Sequence, residues 1–336
     1  MRRAPRRLCL LLATALAGSA AGADAPPPAT AAGVVAAALK EGKVVVYAAT
    51  DQAVIAPFLA DFAALHPRVV VEYHDLNTRE LHDRFLDEVE AGTPAVDLLW
   101  SPAMDLQMKL ANDGFAQAYE SPEAVRLAPW AVWRNEAFGT TLEPFVFIYD
   151  RRTLPSAEVP QTHGELVRWL EAQRERLRGR VGTYDPERSA IGYLLLTQDS
   201  RIDPSFPETV RAYARAGLAL HGTTAQMIGR VRSGQELLAF NVNGSYALLA
   251  AREFPDLALV YPKDYVLAAS RIALIPKTAP HPNAARLFLD YVLSRRGQEV
   301  MARRCALFSI RTDVEGENTA TALARDLGAR LKPIHV

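Results

Sequence analysis

Four short polar turns hold the residues best suited to bind a small ligand. Each turn follows an apolar run and precedes a helical pattern: Thr50-Asp51-Gln52, Ser101-Pro102, Asp185 to Ser189, and Asn243-Gly244-Ser245. The first backbone N–H groups of a helix have no partner inside the helix, and the helix dipole is positive at that end. The turns therefore favour binding of an anion or another electron-rich polar group.

The first turn lies inside a strand–turn–helix unit that indicates the fold class. Lys43 to Tyr47 is a valine-rich run, which predicts a buried parallel strand. Apolar residues then recur at helical spacing from Val54 to Leu65, with Thr50 or Asp51 as the natural helix cap. Open α/β sheets bind ligands at the carboxyl ends of their strands, where this turn lies. Taken alone, such a unit is equally typical of any α/β protein.

Similar units follow along the chain and divide it into two lobes. Further strands are predicted at Val69 to Tyr73, Val96 to Trp100, Val181 to Tyr184, Leu237 to Val242, and Leu257 to Tyr261. Two longer extended runs, Gly139 to Tyr149 and Tyr265 to Ile275, should carry the chain into the second lobe and back. Pro144 inside the first run indicates an edge strand or a bend. We expect the tail from about Thr312 to pack a last helix on the first lobe.

The predicted architecture is α/β with two lobes, each a mainly parallel sheet flanked by helices, joined by two crossover strands. The predicted division is a signal peptide at 1–23, a flexible arm at 24–38, a first lobe at 39–142 plus 270–336, and a second lobe at 143–269. The signal peptide is predicted because four arginines precede an apolar run from Leu8 to Ala17 and a small-residue stretch ending at Ala23. The apolar run is too short for a permanent membrane span, so we expect a periplasmic protein.

Charge and cysteine content limit the possible functions. Removing the signal peptide removes four arginines and no acids, so 38 basic against 38 acidic residues becomes 34 against 38, a net charge near −4. This balance argues against a general nucleic-acid-binding protein. Cys305 is then the only cysteine, so no intramolecular disulfide can form.

Four segments carry a family resemblance: KVVVYAATDQAVIAPFLADFAALHP, VDLLWSPAMDLQMKLANDGF, AFNVNGSYALL, and DYVLAASRIALIPKTAPHPNAARLFLDYVLSRRGQEVMA. In these segments the chain resembles periplasmic solute-binding proteins of ABC importers, in the branch that includes binders of ferric ion, phosphonates and phosphorylated sugars. The resemblance implies a type II periplasmic binding fold that closes around a solute and delivers it to an ABC permease in the inner membrane. It also implies a monomer with no catalytic activity and no cofactor.

The candidate ligand-binding residues belong mainly to the four turns. They are Thr50, Asp51, Gln52, Ser101, Glu143, Asp185, Ser189, Asn241, Asn243, Gly244 and Ser245. Turns rich in N–H and hydroxyl groups suit a small anionic solute, and we favour a phosphorylated or phosphonated one. Asp51, Asp185 and Glu143 would hold hydroxyl groups or an amine on the same ligand.

Other functions remain as alternatives. Ferric binders of this branch are expected to use an adjacent tyrosine pair where this chain has Asn241 to Tyr246 with a single tyrosine. Ferric ion prefers anionic oxygen ligands, so we predict no metal site; a ferric carrier would have to use Tyr47, Glu143 and Tyr246. A protein that presents its ligand to a membrane sensor kinase is a further alternative. An exported hydrolase is disfavoured because no nucleophile–base pair emerges.

Overall fold

The computed structural model describes residues 31–336, which form two sheets flanked by helices. The predicted signal peptide at 1–23 and the first part of the predicted arm, 24–30, lie outside the described residues. The described structure confirms the α/β fold class.

Helices and strands alternate along the first part of the described chain, and later segments place two or three helices or strands in succession. The α-helices are α1 (Ala31–Glu41), α2 (Gln52–Leu65), α3 (Thr78–Glu90), α4 (Met104–Asn112), α5 (His163–Ala172), α6 (Arg174–Leu177), α7 (Ala190–Ile202), α8 (Phe206–Ala216), α9 (Thr224–Arg232), α10 (Gly244–Glu253), α11 (Pro282–Leu293), α12 (Arg295–Arg304) and α13 (Ala320–Leu327). The strands are β1 (Lys43–Ala48), β2 (Val70–Asp75), β3 (Leu98–Ser101), β4 (Val132–Trp133), β5 (Ala137–Gly139), β6 (Glu143–Asp150), β7 (Val181–Tyr184), β8 (Ala219–His221), β9 (Leu238–Asn243), β10 (Leu257–Val260), β11 (Val266–Ala269), β12 (Ile272–Leu274) and β13 (Leu331–Pro333). Within residues 31–336, no helix is both long enough and apolar enough for a membrane span.

The first sheet has the strand order β2-β1-β3-β12-β5-β4. β1 pairs in parallel with β2 and β3, and the strands beyond β3 pair antiparallel. Apolar side chains of β1, α2 and α11 form one core beside this sheet, including Val46, Phe58, Phe62 and Phe288. The predicted helical spacing from Val54 to Leu65 is confirmed by α2, which buries Ile55, Phe58 and Phe62.

The second sheet has the strand order β13-β11-β6-β9-β7-β8, and β10 also pairs with β6. β9, β7 and β8 are parallel neighbours, whereas β6 is antiparallel to β9, β10 and β11. Both sheets are therefore mixed. The parallel pairs β1–β2, β1–β3 and β7–β9 follow the predicted βα units, and the crossover strands add antiparallel pairs.

The two extended runs predicted as crossover strands are each divided into two strands. The first becomes β5 and β6 with a break at 140–142, and the second becomes β11 and β12 with a break at 270–271. At each break the chain passes from one sheet to the other. An edge position for Pro144 was one of the two predicted outcomes, and it is wrong. Pro144 is the second residue of β6, which lies between β11 and β9.

Two predicted boundaries are corrected at the ends of the chain. Residues 31–38 of the predicted arm belong to α1, because Val34 and Ala38 are buried in the core that includes α11. The tail does not pack on the first lobe alone. Leu323 of α13 is buried with Val266 of the second sheet, and β13 extends that sheet beside β11.

Candidate functional site

A cleft of about 130 Å³ lies between the two sheets. Residues from both halves of the chain line it: Ala49, Asp51, Asp75, Leu76, Asn77, Thr78, Pro102, Phe145, Tyr184, Ile191, Gly222, Thr223, Thr224, Asn243, Tyr246 and Arg271. Polar side chains and backbone form much of this lining, and its titratable side chains are those of two aspartates, two tyrosines and one arginine. The cleft therefore has the kind of lining that a polar ligand requires.

Helix N-termini from both halves converge on the cleft. The lining includes residues at or next to the first turns of α2, α3 and α4 on one side and of α7, α9 and α10 on the other. Asn77 caps α3 by accepting hydrogen bonds from the N–H groups of Arg79 and Glu80, and Thr223 caps α9. No described side chain accepts from the N–H groups of Thr78 and Thr224, the first residues of α3 and α9. Positive dipole ends with free N–H groups favour an anion.

Arg271, in the break between β11 and β12, lies at the base of the cleft. Its side chain is 1 % exposed. The guanidinium donates to both carboxylate oxygens of Glu143, at 2.7 Å and 3.2 Å, and to the carbonyl of Ala49 and Oγ1 of Thr50, at 2.8 Å and 2.7 Å. One arginine thus joins β6 of the second sheet to the end of β1 in the first sheet.

Both carboxylate oxygens of Glu143 accept hydrogen bonds within this network. Glu143 also accepts from the hydroxyl of Thr141 at 2.8 Å and from the amide of Asn243 at 2.9 Å. Burial lowers the pKa of Arg271, but the adjacent Glu143 carboxylate outweighs this effect, so the net pKa lies above its ordinary value. Arg271 is therefore charged, and its ion pair with Glu143 links the crossover segments at the base of the cleft.

Two sets of hydrogen bonds join the walls of the cleft. The hydroxyl of Tyr246 donates to Oδ1 of Asp51 at 2.8 Å and accepts from the backbone N–H of Asp51 at 2.9 Å. Oγ1 of Thr78 accepts from the N–H groups of Ala190 and Ile191 at the start of α7, at 3.0 Å and 3.4 Å. Both sets connect the first half of the chain to the second, so the two walls of the cleft are in direct contact.

The tyrosines in the cleft are neutral hydrogen-bonding groups at ordinary pH. Burial is the main cause that raises the pKa of Tyr246 well above 10, and the Asp51 carboxylate adds to it. Burial also raises the pKa of Tyr184 to about 12. The hydroxyls of Tyr184 and Thr224 hydrogen-bond each other. Neither phenol favours the phenolate form that ferric ion prefers.

Among the predicted ligand-binding residues, Asp51 and Asn243 line the cleft. Thr50 is fully buried beneath it and accepts from Arg271. Gly244 begins α10, where a Cβ would come within 2.9 Å of the Pro144 carbonyl. Ser245 is fully buried beside these residues, and its Oγ has no hydrogen-bond partner in the described residues.

Other predicted residues serve the turns themselves. The exposed Gln52 donates its backbone N–H to Asp75, and Ser101 Oγ accepts from the N–H of Ala103. Asp185 stabilises its own turn by accepting from the N–H of Glu187, while Ser189 caps α7. Asp51 occupies the predicted N-cap position of α2, but its side chain makes no capping hydrogen bond there. The Ser101-Pro102 turn is followed by Ala103, and α4 begins at Met104.

Asn241 does not line the cleft. The pairing of β9 with β6 shifts register between Val146 and Ile148, and Asn241 has a φ of 57° at this irregularity. A bulge re-aims the side chains on its strand. The amide of Asn241 instead donates to Asp199 at 2.9 Å and faces a separate cavity. The sequence pattern gave no sign of this bulge.

The three residues named for a ferric site are not assembled. Tyr47 is fully buried, donates its hydroxyl to Glu88 at 2.5 Å and is not among the described residues that line the cleft. Glu143 is paired with Arg271, and Tyr246 is bonded to Asp51. Within residues 31–336, no cluster of three His, Cys, Asp or Glu side chains is arranged to hold a metal ion.

Sequence reasoning missed several residues of the cleft. Arg271 carried a usable signal, because it is the only charged residue in the apolar run from Tyr265 to Ile275. Asn77 and Thr223-Thr224 are residue types that commonly begin helices, but nothing in the local sequence pattern places these two helix starts at the same cleft. Tyr184 ends a strand, and only the tertiary fold brings it beside Thr224.

Comparisons with known proteins identify a family. A family model described as bacterial extracellular solute-binding protein matches residues 53–325. The substrate-binding protein of an ABC transporter from Agrobacterium tumefaciens is 36% identical, with a TM-score of 0.85 and coverage of 89% of each chain. No curated protein matches the chain.

More distant structures share the fold. AfuA from Actinobacillus pleuropneumoniae, with fructose-6-phosphate bound, is 17% identical with a TM-score of 0.70, covering 83% of this chain and 88% of its own. Iron-bound HitA from Pseudomonas aeruginosa is 15% identical with a TM-score of 0.67, covering 85% and 99%. At these identities the likeness concerns the fold alone.

Proposed function

This chain belongs to the bacterial extracellular solute-binding protein family, and we propose that its cleft captures a small anionic solute carrying a phosphoryl or phosphonyl group. As a member of this family it is a non-enzymatic component of ABC transport, as the sequence resemblance predicted. We further propose that the chain is exported by residues 1–23, acts as a monomer in the periplasm and delivers its solute to an inner-membrane permease.

The convergence of helix N-termini from both halves supports an anionic solute. A ligand between α3 and α9 would lie beside the N–H groups of Thr78 and Thr224, for which no described side chain is an acceptor. A phosphoryl group has several acceptor oxygens and can receive hydrogen bonds from more than one helix terminus. Structural relatives include AfuA with a bound sugar phosphate, which agrees with this class of solute.

The aspartates at the cleft determine what else the solute must carry. Asp51 and Asp75 both line the cleft, and no described lysine or arginine forms an ion pair with either. Ionised carboxylates only accept hydrogen bonds. The solute should therefore carry hydroxyl groups or an amine near Asp51 and Asp75, at a distance from its anionic end.

Closure of the lobes would couple binding to transport. We propose that the lobes rotate about the breaks at 140–142 and 270–271, where the chain passes between the sheets. The Tyr246–Asp51 and Thr78–α7 contacts would then form only in the closed state. A solute that bridges the two walls shifts the population toward closure in proportion to its preference for that state.

Ferric iron is the second candidate because iron-bound HitA shares the fold and because Tyr246, Asp51 and Asp75 line the cleft. These are oxygen donors of the type that hard cations accept. The raised pKa of Tyr246 opposes this candidate, since the phenol must lose its proton before it binds iron. An iron complex with a phenolate ligand would absorb visible light.

Thermal unfolding of residues 24–336 against matched ligand pairs tests the proposal. The pairs are fructose-6-phosphate with fructose, aminoethylphosphonate with ethanolamine, and ferric citrate with citrate. A ligand at 100 times its dissociation constant adds about 2.7 kcal/mol to the free energy of unfolding. We expect a higher midpoint with a phosphorylated or phosphonated member alone. A shift with ferric citrate alone would overturn the anionic solute in favour of iron.

Asn77→Asp tests the location of the anionic group. Aspartate also caps helices, so α3 should remain intact while a negative charge is added at the cleft. The affinity for the phosphorylated ligand should fall roughly tenfold, which corresponds to about 1.4 kcal/mol of like-charge repulsion. Unchanged affinity would place the anionic group elsewhere.

A further inference from the structure

A second cavity, of about 310 Å³, lies next to the cleft inside the second half of the molecule. Helices α7 and α8 and strands β7 and β9 contribute its walls, and Tyr184 lines both this cavity and the cleft. Leu195, Tyr213 and Phe240 give the cavity a mostly apolar surface. Its volume is at the lower end of the range of about 300–1,000 Å³ that is usual for small-molecule sites.

One acidic side chain, Asp199, lies in this apolar wall and is 7% exposed. Its Oδ1 accepts from the hydroxyl of Tyr265 and its Oδ2 from the amide of Asn241, at 2.8 Å and 2.9 Å. Both donors are neutral. In the described part of the chain, no lysine, arginine or histidine forms an ion pair with Asp199. His163 stacks on Tyr265 and is close enough to favour the charged form of Asp199, but its own ion-pair partner is Asp264. Burying a carboxylate without a cation is costly.

Asn241 supplies a further acceptor at the same place. The Nδ2 group of Asn241 donates its hydrogen bond to Asp199, and no donor among the described residues hydrogen-bonds to Oδ1 of Asn241. The residue is held at a φ of 57° by the irregular pairing of β9 with β6. Such a conformation costs energy for a residue other than glycine and persists where the surroundings enforce it. The irregularity turns Asn241 away from the cleft and toward Asp199.

We propose that this cavity binds a small molecule with an apolar body and one primary ammonium group, with Asp199 as its counter-ion. An ammonium group has three donors and no acceptor, which matches the Asp199 carboxylate together with Oδ1 of Asn241. The apolar body would pack against Leu195, Tyr213 and Phe240. This proposal does not depend on which solute occupies the cleft.

The first experiment compares three probes of equal length by isothermal titration of the whole chain. Hexylamine should bind, 1-hexanol should bind at least tenfold more weakly, and hexanoate should give no measurable heat. 2-Phenylethylamine and 2-phenylethanol repeat the comparison with an aromatic body. Equal binding of hexylamine and 1-hexanol would overturn the role of Asp199, and absence of binding by both amines would overturn the site.

Two variants locate the bound amine. Asp199→Asn keeps the shape and removes the charge, so hexylamine should bind at least tenfold more weakly while 1-hexanol is unaffected. Ala214→Trp fills the mouth of the cavity from an exposed position on α8 and should abolish binding of both. Ala63→Trp, an exposed position on α2 outside both cavities, is the matched control. Wild-type affinity in Ala214→Trp would place the amine outside this cavity.

Asn77→Asp separates this site from the cleft. An amine in the second cavity should bind the variant with wild-type affinity, because Asn77 lines only the cleft. Tighter binding of hexylamine to Asn77→Asp, with no effect of Ala214→Trp, would mean that the amine occupies the cleft, and would overturn the proposal.

Discussion

Glu143 at the base of the cleft and Asp199 in the second cavity are both buried carboxylates, but their partners differ. Glu143 receives the guanidinium of Arg271 together with Thr141 and Asn243. Asp199 receives only the neutral donors Tyr265 and Asn241. The first carboxylate has a direct ion-pair partner in Arg271, whereas the second has none among the described residues and is influenced only by the nearby His163.

This difference distinguishes a carboxylate that stabilises the fold from one that is available to bind a ligand. Because its charge is compensated and both its oxygens are bonded, Glu143 holds the crossover segments and has little left for a solute. Asp199 lies beside an open volume and has no ion-pair partner among the described residues. The comparison predicts opposite responses when the charge of each region is removed, and the following substitutions test it in order of decreasing effect.

Arg271→Met should cause the largest loss. The variant leaves Glu143 buried without its cation, and breaking a buried ion pair in this way costs about 3–5 kcal/mol. Urea unfolding should show this loss at pH 7. Arg271→Met with Glu143→Gln removes both charges and should recover most of it. A loss below about 1 kcal/mol for Arg271→Met would contradict a structural role for this pair.

The sequence predicted the fold class because its signals are local. The valine-rich strand at Lys43 and the apolar spacing from Val54 to Leu65 depend only on neighbouring residues, and both are seen as β1 and α2. Breaks at 140–142 and 270–271 were missed because they depend on which sheet each half of the run joins. For the same reason the tail was assigned to the first lobe alone, although β13 pairs with β11.

The site was predicted only in part, for a related reason. Asp51 and Asn243 were found because polar turns after strands are visible in the sequence, and both line the cleft. Glu143 was predicted to bind the ligand. Its actual partner, Arg271, lies 128 residues away in the chain, so no local sequence pattern reveals the ion pair. Asn241 was misplaced because an irregular strand pairing reverses side-chain direction, and no local pattern reports it.

Tyr246→Phe should have the next largest effect, on solute affinity. It removes the hydroxyl that bonds both the carboxylate and the N–H of Asp51 across the cleft. A hydrogen bond to a charged group contributes about 1.5–3 kcal/mol. We therefore expect the dissociation constant to rise at least tenfold for the solute that stabilises the protein in the thermal unfolding experiment. Tyr193→Phe, at an exposed position outside both cavities, is the control. Equal affinities of the two variants would contradict a role for this contact in closure.

Asp199→Asn should shift the pH dependence of stability in the opposite sense to loss of a paired carboxylate. Burial raises the pKa of Asp199 above its model-compound value of 3.8. The contribution of Asp199 to the free energy of unfolding is therefore fully present below pH 3.8 and is lost as the pH rises through the folded-state pKa. Relative to wild type, Asp199→Asn should gain stability between pH 4 and pH 7. Urea unfolding at both values measures this, and a relative loss would mean that Asp199 has a compensating cation.

Thr78→Val should have the smallest effect and tests the second contact between the walls. The substitution keeps the shape of the side chain but removes the oxygen that accepts from the N–H groups of Ala190 and Ile191. When the lobes separate, water can satisfy both N–H groups, so only the closed state loses the interaction. A neutral hydrogen bond contributes about 0.5–1.5 kcal/mol, and we expect solute affinity to fall about fivefold.

The control for this substitution is Thr197→Val, because Thr197 bonds only within α7, to the carbonyl of Leu194. Small-angle scattering distinguishes a closure contact from a direct solute contact. A closure contact predicts a larger radius of gyration for Thr78→Val than for wild type when both proteins are saturated with solute, because more of the solute-bound variant stays open. Weaker affinity with equal radii at saturation would instead make Thr78 a solute-contacting residue, since closure would then be as complete without its hydroxyl.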